Sequence, residues 1–364
     1  MTEIIKVVLT GGPCGGKSSA LPYIKQELEK FGLTVLTIDE RATILINSGE
    51  KPENMGVVQF QKELFKQAYA EEKAVISKAS SLNVDKVVIL FDRGLLDGRA
   101  FVSEAEFSSF ISEYGLNEEQ IRNSYDAVFH LVTAAEGAED YYNCINNTAR
   151  TETSEEARTN DKRILSAWTG NNHLRIIDNS TDFTGKMNRL KDEILAFLGI
   201  PEPVEIERKF LIEYPDIEFL NSLELCRKIP ITQAYLFTPQ EGNFRVRKRG
   251  DVNNAIYIKT IKRKISDIKR IEIETNISEK EYLNYLSKKE NVLGVISKDR
   301  YCIAYNNTYY ELDVYPFWQD KALLEIELLS ENQKYQLPPF IKLIREVTTE
   351  PEFRNFTLAQ KYCE

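Results

Sequence analysis

The sequence is poor in the residues that build zinc sites and disulfide frameworks. It has two histidines, His130 and His173, and five cysteines, an odd number that includes no Cys-x-x-Cys pair. Zinc centres and disulfide-stapled folds depend on clusters of these residues, so we expect neither, and we expect a reducing, cytoplasmic compartment.

The sequence also lacks long hydrophobic segments. No apolar run approaches the roughly 18 residues of a membrane span, so any membrane contact should be peripheral. The N-terminal segment MTEIIKVVLT has an acidic residue and no basic stretch, which predicts a first strand and not a signal peptide.

Length and charge indicate a globular chain with two different halves. The 364 residues are 42% hydrophobic and 28% charged, which suits two folded domains. Residues 1–200 hold 22 basic and 30 acidic residues, whereas residues 201–364 hold 25 and 26. Ten Lys and Arg crowd into residues 244–270. A local basic cluster in an acidic chain suits a small polyanion better than a long nucleic acid.

A strand, a glycine-rich loop and a helix open the chain. Residues 4–10 are a β-branched run typical of a buried parallel strand, and residues 18–31 form an amphipathic pattern. The loop between them matches G-x-x-x-x-G-K-[ST], whose backbone N–H groups surround phosphate oxygens. We therefore predict an ATP or GTP site with Mg²⁺. The predicted contact residues are Gly11, Gly12, Pro13, Cys14, Gly15, Gly16, Lys17, Ser18 and Ser19, with Lys17 catalytic and Ser18 a metal ligand.

Alternating strands and helices continue through residues 1–200. Further strands are predicted at 33–39, 84–91, 126–132 and 174–178, which gives a doubly wound α/β domain with a parallel sheet. Asp92 ends the third strand and fits a catalytic carboxylate that contacts Mg²⁺. Asp39 follows the second strand as a substrate-binding or base carboxylate, or as a helix cap.

The charged stretch 148–168 has two interpretations. Its cations, which include Arg150 and Arg158, suit a mobile lid that closes over a transferred phosphoryl group. They equally suit a solvated helix with i,i+4 ion pairs. His130 lies inside a predicted strand and is assigned a structural role.

The second half, residues 203–364, begins at the second of two prolines, Pro201 and Pro203, and then alternates strictly. Glu205, Glu207 and Lys209 share one face of its first strand. Eight such strands suffice to close an antiparallel barrel whose charged faces line a polar tunnel. Helices predicted at 216–226, 279–290 and 338–346 would cover the outer apolar faces, which we assign to residues that include Ile256 and Ile258. Cations in the tunnel would neutralise a polyphosphate, and carboxylates in the tunnel would hold Mg²⁺ or Mn²⁺.

Each half resembles a known family. GGPCGGKSS at 11–19, FDRGLLDG at 91–98 and RTETSEEAR at 150–158 resemble the P-loop kinase-like ATPases related to the ribosylnicotinamide kinase domain. The E-x-E-x-K at 205–209, with the ordered charged strands after it, resembles the CYTH, or triphosphate tunnel metalloenzyme, family. That resemblance implies catalytic Glu205 and Glu207, with metal ligands Glu205, Glu207, Asp313, Glu325 and Glu327. The phosphate-binding residues that it implies are Lys209, Arg245, Arg247, Lys259, Arg270, Lys298 and Arg300.

Two functions follow from these motifs. The first is an enzyme: a P-loop kinase or NTPase joined to a metal-dependent triphosphatase. The second is a regulator, because the pairing of halves resembles the TRPL translocation defect protein group. That group is associated with GTP binding and with phosphoinositide or phosphatidic acid headgroups. In this alternative the tunnel binds such a headgroup or polyphosphate without turnover. The sequence contains no N-K-x-D motif of the GTPase type, so it does not indicate whether ATP or GTP is the nucleotide.

Overall fold

The computed structural model describes residues 2–142, 153–202, 204–266, 269–328 and 330–362. They form two compact units, Met1–Glu193 and Ile194–Glu364, and each unit has its own sheet. The division between the units falls a few residues before the predicted linker.

The first unit is built on a five-stranded parallel sheet. The strand order is β2-β3-β1-β4-β5, which confirms the predicted doubly wound class. The strands are β1 (Glu3–Thr10), β2 (Thr34–Ile38), β3 (Lys86–Asp92), β4 (Ala127–Leu131) and β5 (Leu174–Ile177). Nearly every side chain of β3 and β4 is buried, as expected of strands covered on both faces.

Helices connect these strands and follow the last of them. They are α1 (Lys17–Glu29), α2 (Arg41–Asn47), α3 (Pro52–Met55), α4 (Val57–Ser80), α5 (Glu104–Ser112), α6 (Glu118–Asn123), α7 (Ser154–Trp168) and α8 (Phe183–Phe197). Short 3₁₀ turns lie at Asp97–Phe101 and Glu139–Tyr141.

Helix α7 favours the helix interpretation for its part of the stretch 148–168. It begins with a capping box between Thr153 and Glu156, and Ala157, Ile164 and Trp168 on its inner face are buried. These residues belong to the core of the unit. Residues 148–152, with Arg150, lie outside the described part of the chain.

The second unit is a closed eight-stranded antiparallel barrel, as the alternation predicts. The order β10-β9-β8-β7-β11-β12-β13-β6 is closed by pairing of β10 with β6, where Arg270 lies opposite Glu205. A ninth strand, β14, pairs with the other end of β6. The strands are β6 (Val204–Glu213), β7 (Cys226–Thr238), β8 (Gly242–Arg249), β9 (Ile256–Lys264), β10 (Lys269–Ile277), β11 (Val292–Tyr305), β12 (Thr308–Val314), β13 (Lys321–Leu328) and β14 (Leu343–Glu346).

Helices cover part of the outer barrel surface. Leu220 of α9 (Ile217–Ser222) joins a core cluster with Ile206 and Tyr310, and Tyr282 of α10 (Glu279–Ser287) joins one with Val246. The helix predicted at 338–346 is wrong, because that segment contains β14. The last helix is α11 (Asn355–Lys361), and 3₁₀ turns lie at Lys289–Asn291 and Pro351–Phe353. No helix in the described residues is both long and apolar enough to cross a membrane.

Candidate functional sites

The glycine-rich loop lies between β1 and α1, as its motif predicts. Gly11 and Gly16 have φ angles of 127° and 97°, and a Cβ at Gly11 would lie 2.1 Å from the Leu131 carbonyl oxygen. Lys17 is 5% exposed, and its Nζ donates to the carbonyl oxygens of Gly11 and Gly12 at 2.8 and 2.7 Å. The lysine therefore lies folded back over its own loop.

Ser18 and Asp92 meet at the carboxyl end of the sheet. The Ser18 hydroxyl donates to Asp92 Oδ2 at 3.3 Å, and Asp92 Oδ1 is buried with no hydrogen-bond partner in the described part of the chain. Burial raises the pKa of Asp92 above its ordinary value. An unpartnered, buried carboxylate oxygen beside a hydroxyl is a donor set that suits Mg²⁺.

An ion pair between Glu40 and Arg93 borders the loop and was not predicted from the sequence. Arg93 Nε donates to Glu40 Oε1 at 2.5 Å, and Arg93 Nη1 donates to the Gly11 carbonyl oxygen at 3.3 Å. Burial opposes ionisation of Glu40, but Arg93 outweighs it and lowers the Glu40 pKa to about 2. Of the two acidic residues after β2, Glu40 is thus linked to the loop through Arg93, whereas Asp39 is exposed.

An open cavity lies beside this ion pair. Its walls combine aromatic rings, among them Phe65 and Tyr125, with carboxylates that include Asp39 and Asp97. Asp92 and Arg93 also line it, so the cavity adjoins the glycine-rich loop.

Other charged residues near these strand ends are held by local contacts. Arg158 donates to the Ala135 carbonyl oxygen at 2.7 Å, and its phosphate-binding role stays a prediction. Asp178 is bound to Arg189 at 2.6 Å. His130 is buried in β4 and lies 3.1 Å from Asp161, a residue that the sequence did not single out.

The barrel register places alternating charged residues on the lumen face. The cations are Lys209, Arg245, Arg247, Arg249, Lys262, Arg270, Lys298 and Arg300, and the carboxylates are Glu205, Glu207, Glu272, Glu274, Glu311, Asp313, Glu325 and Glu327. Acidic and basic groups are similar in number, so the lumen has little net charge. Arg249, Lys262, Glu272, Glu274 and Glu311 are additions to the predicted set.

Ion pairs connect the strands across this lumen. Lys209 lies 2.7 Å from Glu325, and Lys262 lies 2.9 Å from Glu205. Further pairs join Arg245 to Glu272 and Arg247 to Glu274 at 2.8 Å each, and Arg270 to Glu207 at 3.3 Å. Burial opposes ionisation of Glu325, but Lys209 and two further cations hold its pKa well below the ordinary range.

Arg300 organises the most buried part of the lumen. Its Nε and Nη2 donate to Asp313 at 2.7 and 2.8 Å, and Nη2 also lies 2.9 Å from Glu325. Lys298 contacts the same Asp313 carboxylate. Burial and the neighbouring Arg300 lower the pKa of Lys298 to about 8. Asp313 is thereby engaged by two cations, and its predicted metal role stays a prediction.

Lys259 is a correction to the predicted phosphate-binding set. It lies opposite Val246 in the register, and its Nζ donates to Tyr285 of α10 at 3.2 Å and to Glu241. This is the outer face of β9. The lumen face of the strand carries Ile258, predicted to face outward, together with Thr260 and Lys262.

The metal prediction for the lumen rests on pairs of carboxylates. No group of three or more His, Cys, Asp or Glu side chains arranged to hold a metal is found among the residues described. Burial, and then the charge of Glu205, raises the pKa of Glu272, because the two carboxyl groups adjoin. Glu207 lies opposite Glu327 on neighbouring strands. Adjoining carboxylates are oxygen donors that fit a divalent cation.

Comparisons with known proteins agree with this division. A family model described as an AAA domain matches residues 6–186, and one described as a CYTH domain matches residues 204–360. No curated protein matches the chain.

Three solved structures that resemble the chain each cover less than half of it. The inorganic triphosphatase NE1496 is 30% identical, with 43% of this chain and 94% of that chain covered and a TM-score of 0.29. Another structure of NE1496, described as a hypothetical protein, is 30% identical, with 43% and 97% covered and a TM-score of 0.30. HpAC1 from Hippeastrum, described as having a dominant triphosphatase activity, is 18% identical, with 34% and 79% covered and a TM-score of 0.25. The chain thus joins a P-loop domain of the AAA type to a CYTH domain, and its C-terminal half belongs to the CYTH family.

Proposed function

We propose that the CYTH domain binds a triphosphate together with divalent metal ions in its lumen and cleaves a phosphoanhydride bond. The observation that carries this proposal is the closed barrel whose inner face presents both cations and carboxylates. The triphosphatase described for NE1496 supports it.

Charge balance explains why the proposed reaction needs metal. A triphosphate brings about four negative charges at neutral pH, since its ionisations resemble those of a nucleotide phosphate chain. The lumen cations are already paired with carboxylates, as Lys209 is with Glu325. Divalent ions would supply the missing positive charge, and when bound they also activate water for attack on phosphorus.

In this proposal the carboxylates and the cations of the lumen have different roles. Glu205 and Glu207, with Glu325 and Glu327, would hold the metal ions. Lys209, Arg245, Arg247, Lys262, Arg270, Lys298 and Arg300 would orient the phosphate oxygens and stabilise the charge that develops on the leaving phosphate.

We propose that the AAA-type domain binds Mg²⁺ and a nucleoside triphosphate. Lys17 would leave the Gly11 and Gly12 carbonyl oxygens to contact phosphates, and Ser18 and Asp92 would hold Mg²⁺. The cavity beside Asp92 supports a second candidate, phosphoryl transfer to a small acceptor in place of hydrolysis. Asp39 lines that cavity and is its candidate base.

Calorimetric titration of the full chain with inorganic triphosphate tests the proposal for the lumen. Binding should be at least a hundredfold tighter with Mg²⁺ or Mn²⁺ than with a chelator, because the metal offsets the ligand charge. Equal affinity for triphosphate with metal and with chelator would show that binding does not require a divalent ion. Tight metal-free binding of a phosphoinositide headgroup would favour the regulator.

Lys262 and Lys259 form a matched pair of variants on one strand. Lys262→Met should raise KM for triphosphate at least tenfold, since a charge-assisted phosphate contact contributes about 1.5–3 kcal/mol. Lys259→Met should leave KM within twofold, because Lys259 lies on the outer face. Steady-state phosphate release measures both, and a larger effect from Lys259 would contradict the assigned lumen face.

Nucleotide affinity should fall above pH 8. Burial, and then Arg93, lowers the pKa of Lys17 to about 8 in the free protein. Bound phosphates would raise that pKa, so this contribution to binding is complete below pH 8 and is lost as pH rises through the raised value. Each pH unit above 8 should weaken binding by up to tenfold. Titration with a non-hydrolysable nucleotide from pH 6.5 to 9.5 measures it, and a flat profile would contradict the role of Lys17.

A further inference from the structure

Two buried side chains hold the glycine-rich loop at adjacent residues. Asp161 of α7 accepts a hydrogen bond from the Gly12 N–H at 2.5 Å. Thr133, which follows β4, donates its hydroxyl to the Pro13 carbonyl oxygen at 2.5 Å. The two are themselves linked, because Asp161 Oδ1 accepts from the Thr133 N–H at 3.2 Å. Asp161 is 5% exposed and Thr133 is fully buried.

The Asp161 carboxylate is held in its charged form. Burial opposes its ionisation, but His130 and the Gly12 N–H outweigh burial and keep its pKa below the ordinary value. Its bond to Gly12 is therefore charge-assisted, and such bonds are about twice as strong as neutral ones.

Gly12 is fitted to this contact. A Cβ there would lie 2.7 Å from Asp161 Oδ1 and 2.8 Å from Asp161 Cβ, so no other residue allows the carboxylate so close. The carbonyl group of Gly12 accepts from Lys17 at 2.7 Å. Both polar groups of this residue are therefore held by side chains, the N–H by Asp161 and the carbonyl by Lys17.

The two contacts also stand next to a strained residue. Cys14 has a φ of 56°, in the left-handed region that residues with side chains rarely adopt. Strain of this kind persists where the surroundings hold the backbone in place. From Cys14 onward, the N–H groups are those that the loop presents to phosphate in the proposed nucleotide site.

We infer that Asp161 and Thr133 are positioning residues that preset the glycine-rich loop for nucleotide phosphates. They act through Gly12 and Pro13, and His130 supports Asp161 in its charged form. The inference rests on the proposed nucleotide binding of the AAA-type domain, and it adds the residues that keep the loop open to an anion before the ligand arrives.

The test measures affinity of the full chain for Mg-ATP and Mg-GTP in five variants. Asp161→Ala and Thr133→Val should each weaken binding about tenfold or more, as expected for loss of a buried hydrogen bond that shapes the site. Asp161→Asn and Thr133→Ser retain the required acceptor or donor and should stay within about threefold of wild type. Thr169→Val removes an equally buried hydroxyl, bonded to the Leu165 carbonyl oxygen, and should bind like wild type.

Triphosphate cleavage in the lumen is recorded on the same samples and should be unchanged, which separates loop positioning from loss of fold. Wild-type affinity in Asp161→Ala and Thr133→Val would overturn the inference. If Thr169→Val weakened nucleotide binding equally, Asp161 and Thr133 would have only a general structural role. The same would follow if Asp161→Asn and Thr133→Ser bound nucleotide as weakly as Asp161→Ala and Thr133→Val. If the wild-type chain binds neither nucleotide, the proposed nucleotide site fails and the inference fails with it.

Discussion

Replacing Glu205 and Glu207 together by glutamine is expected to lower triphosphate cleavage by about a thousandfold or more. Glutamine keeps the size of the side chain but removes the negative charge that would hold a divalent ion. The two residues share the lumen face of β6, where Glu205 adjoins Glu272 and Glu207 lies opposite Glu327. Each pair would lose one of the two carboxylates proposed to bind the divalent cation.

The measurement is phosphate release from inorganic triphosphate with saturating Mg²⁺ or Mn²⁺. Loss of the two charges also leaves Lys262, Lys209 and Arg270 with fewer partners, which costs stability. Thermal unfolding and nucleotide binding on the same sample therefore establish that the variant is folded.

Glu213→Gln provides the matched control. Glu213 lies at the end of the same strand, is exposed, and contacts Lys342 at 3.5 Å, so this substitution should leave cleavage within twofold of wild type. Retention of activity in the double variant would place the metal, or the reaction, elsewhere.

Lys17→Met is expected to abolish nucleotide turnover and to weaken nucleotide binding at least tenfold. Lys17 is the buried cation of the glycine-rich loop, and removing one preorganised contact to a phosphoryl group costs about a hundredfold to a thousandfold in rate. Its methylene chain is preserved by methionine, so the packing of α1 changes little.

The readouts are nucleotide affinity and phosphate release from ATP and GTP, next to cleavage of inorganic triphosphate. Lys25→Met, on the same helix and only partly buried, is the control and should behave as wild type. Triphosphate cleavage should survive Lys17→Met, because its residues lie in the other domain. Nucleotide turnover that survives in Lys17→Met but disappears with Glu205 and Glu207 would assign that turnover to the lumen.

The sequence predicted the parts of both sites that depend on short-range patterns. A glycine loop between a strand and a helix placed Lys17 and Ser18, and strict alternation placed Glu205 and Arg300 on one inner surface. Such patterns are local, since a period of two or a fixed loop spacing is visible within ten residues.

What the sequence missed depends on contacts between distant segments. Asp161 reaches Gly12 across 149 positions, and no spacing rule connects the two. The family resemblance placed Lys259 among the phosphate-binding residues, yet the register of β9 with β8 decides which face it occupies, and a shift of one residue reverses that face. The sequence left a lid and a helix open for residues 148–168, because the burial of Ala157 and Trp168 comes from tertiary packing.

The central claim is that the lumen of the CYTH domain cleaves triphosphate with divalent metal. Phosphate release from inorganic triphosphate by the purified full chain, with and without Mg²⁺ or Mn²⁺, tests it most directly. The account predicts turnover that requires the metal and survives Lys17→Met. Tight binding of triphosphate without any release of phosphate would contradict it and leave the lumen as a binding site for an anionic ligand.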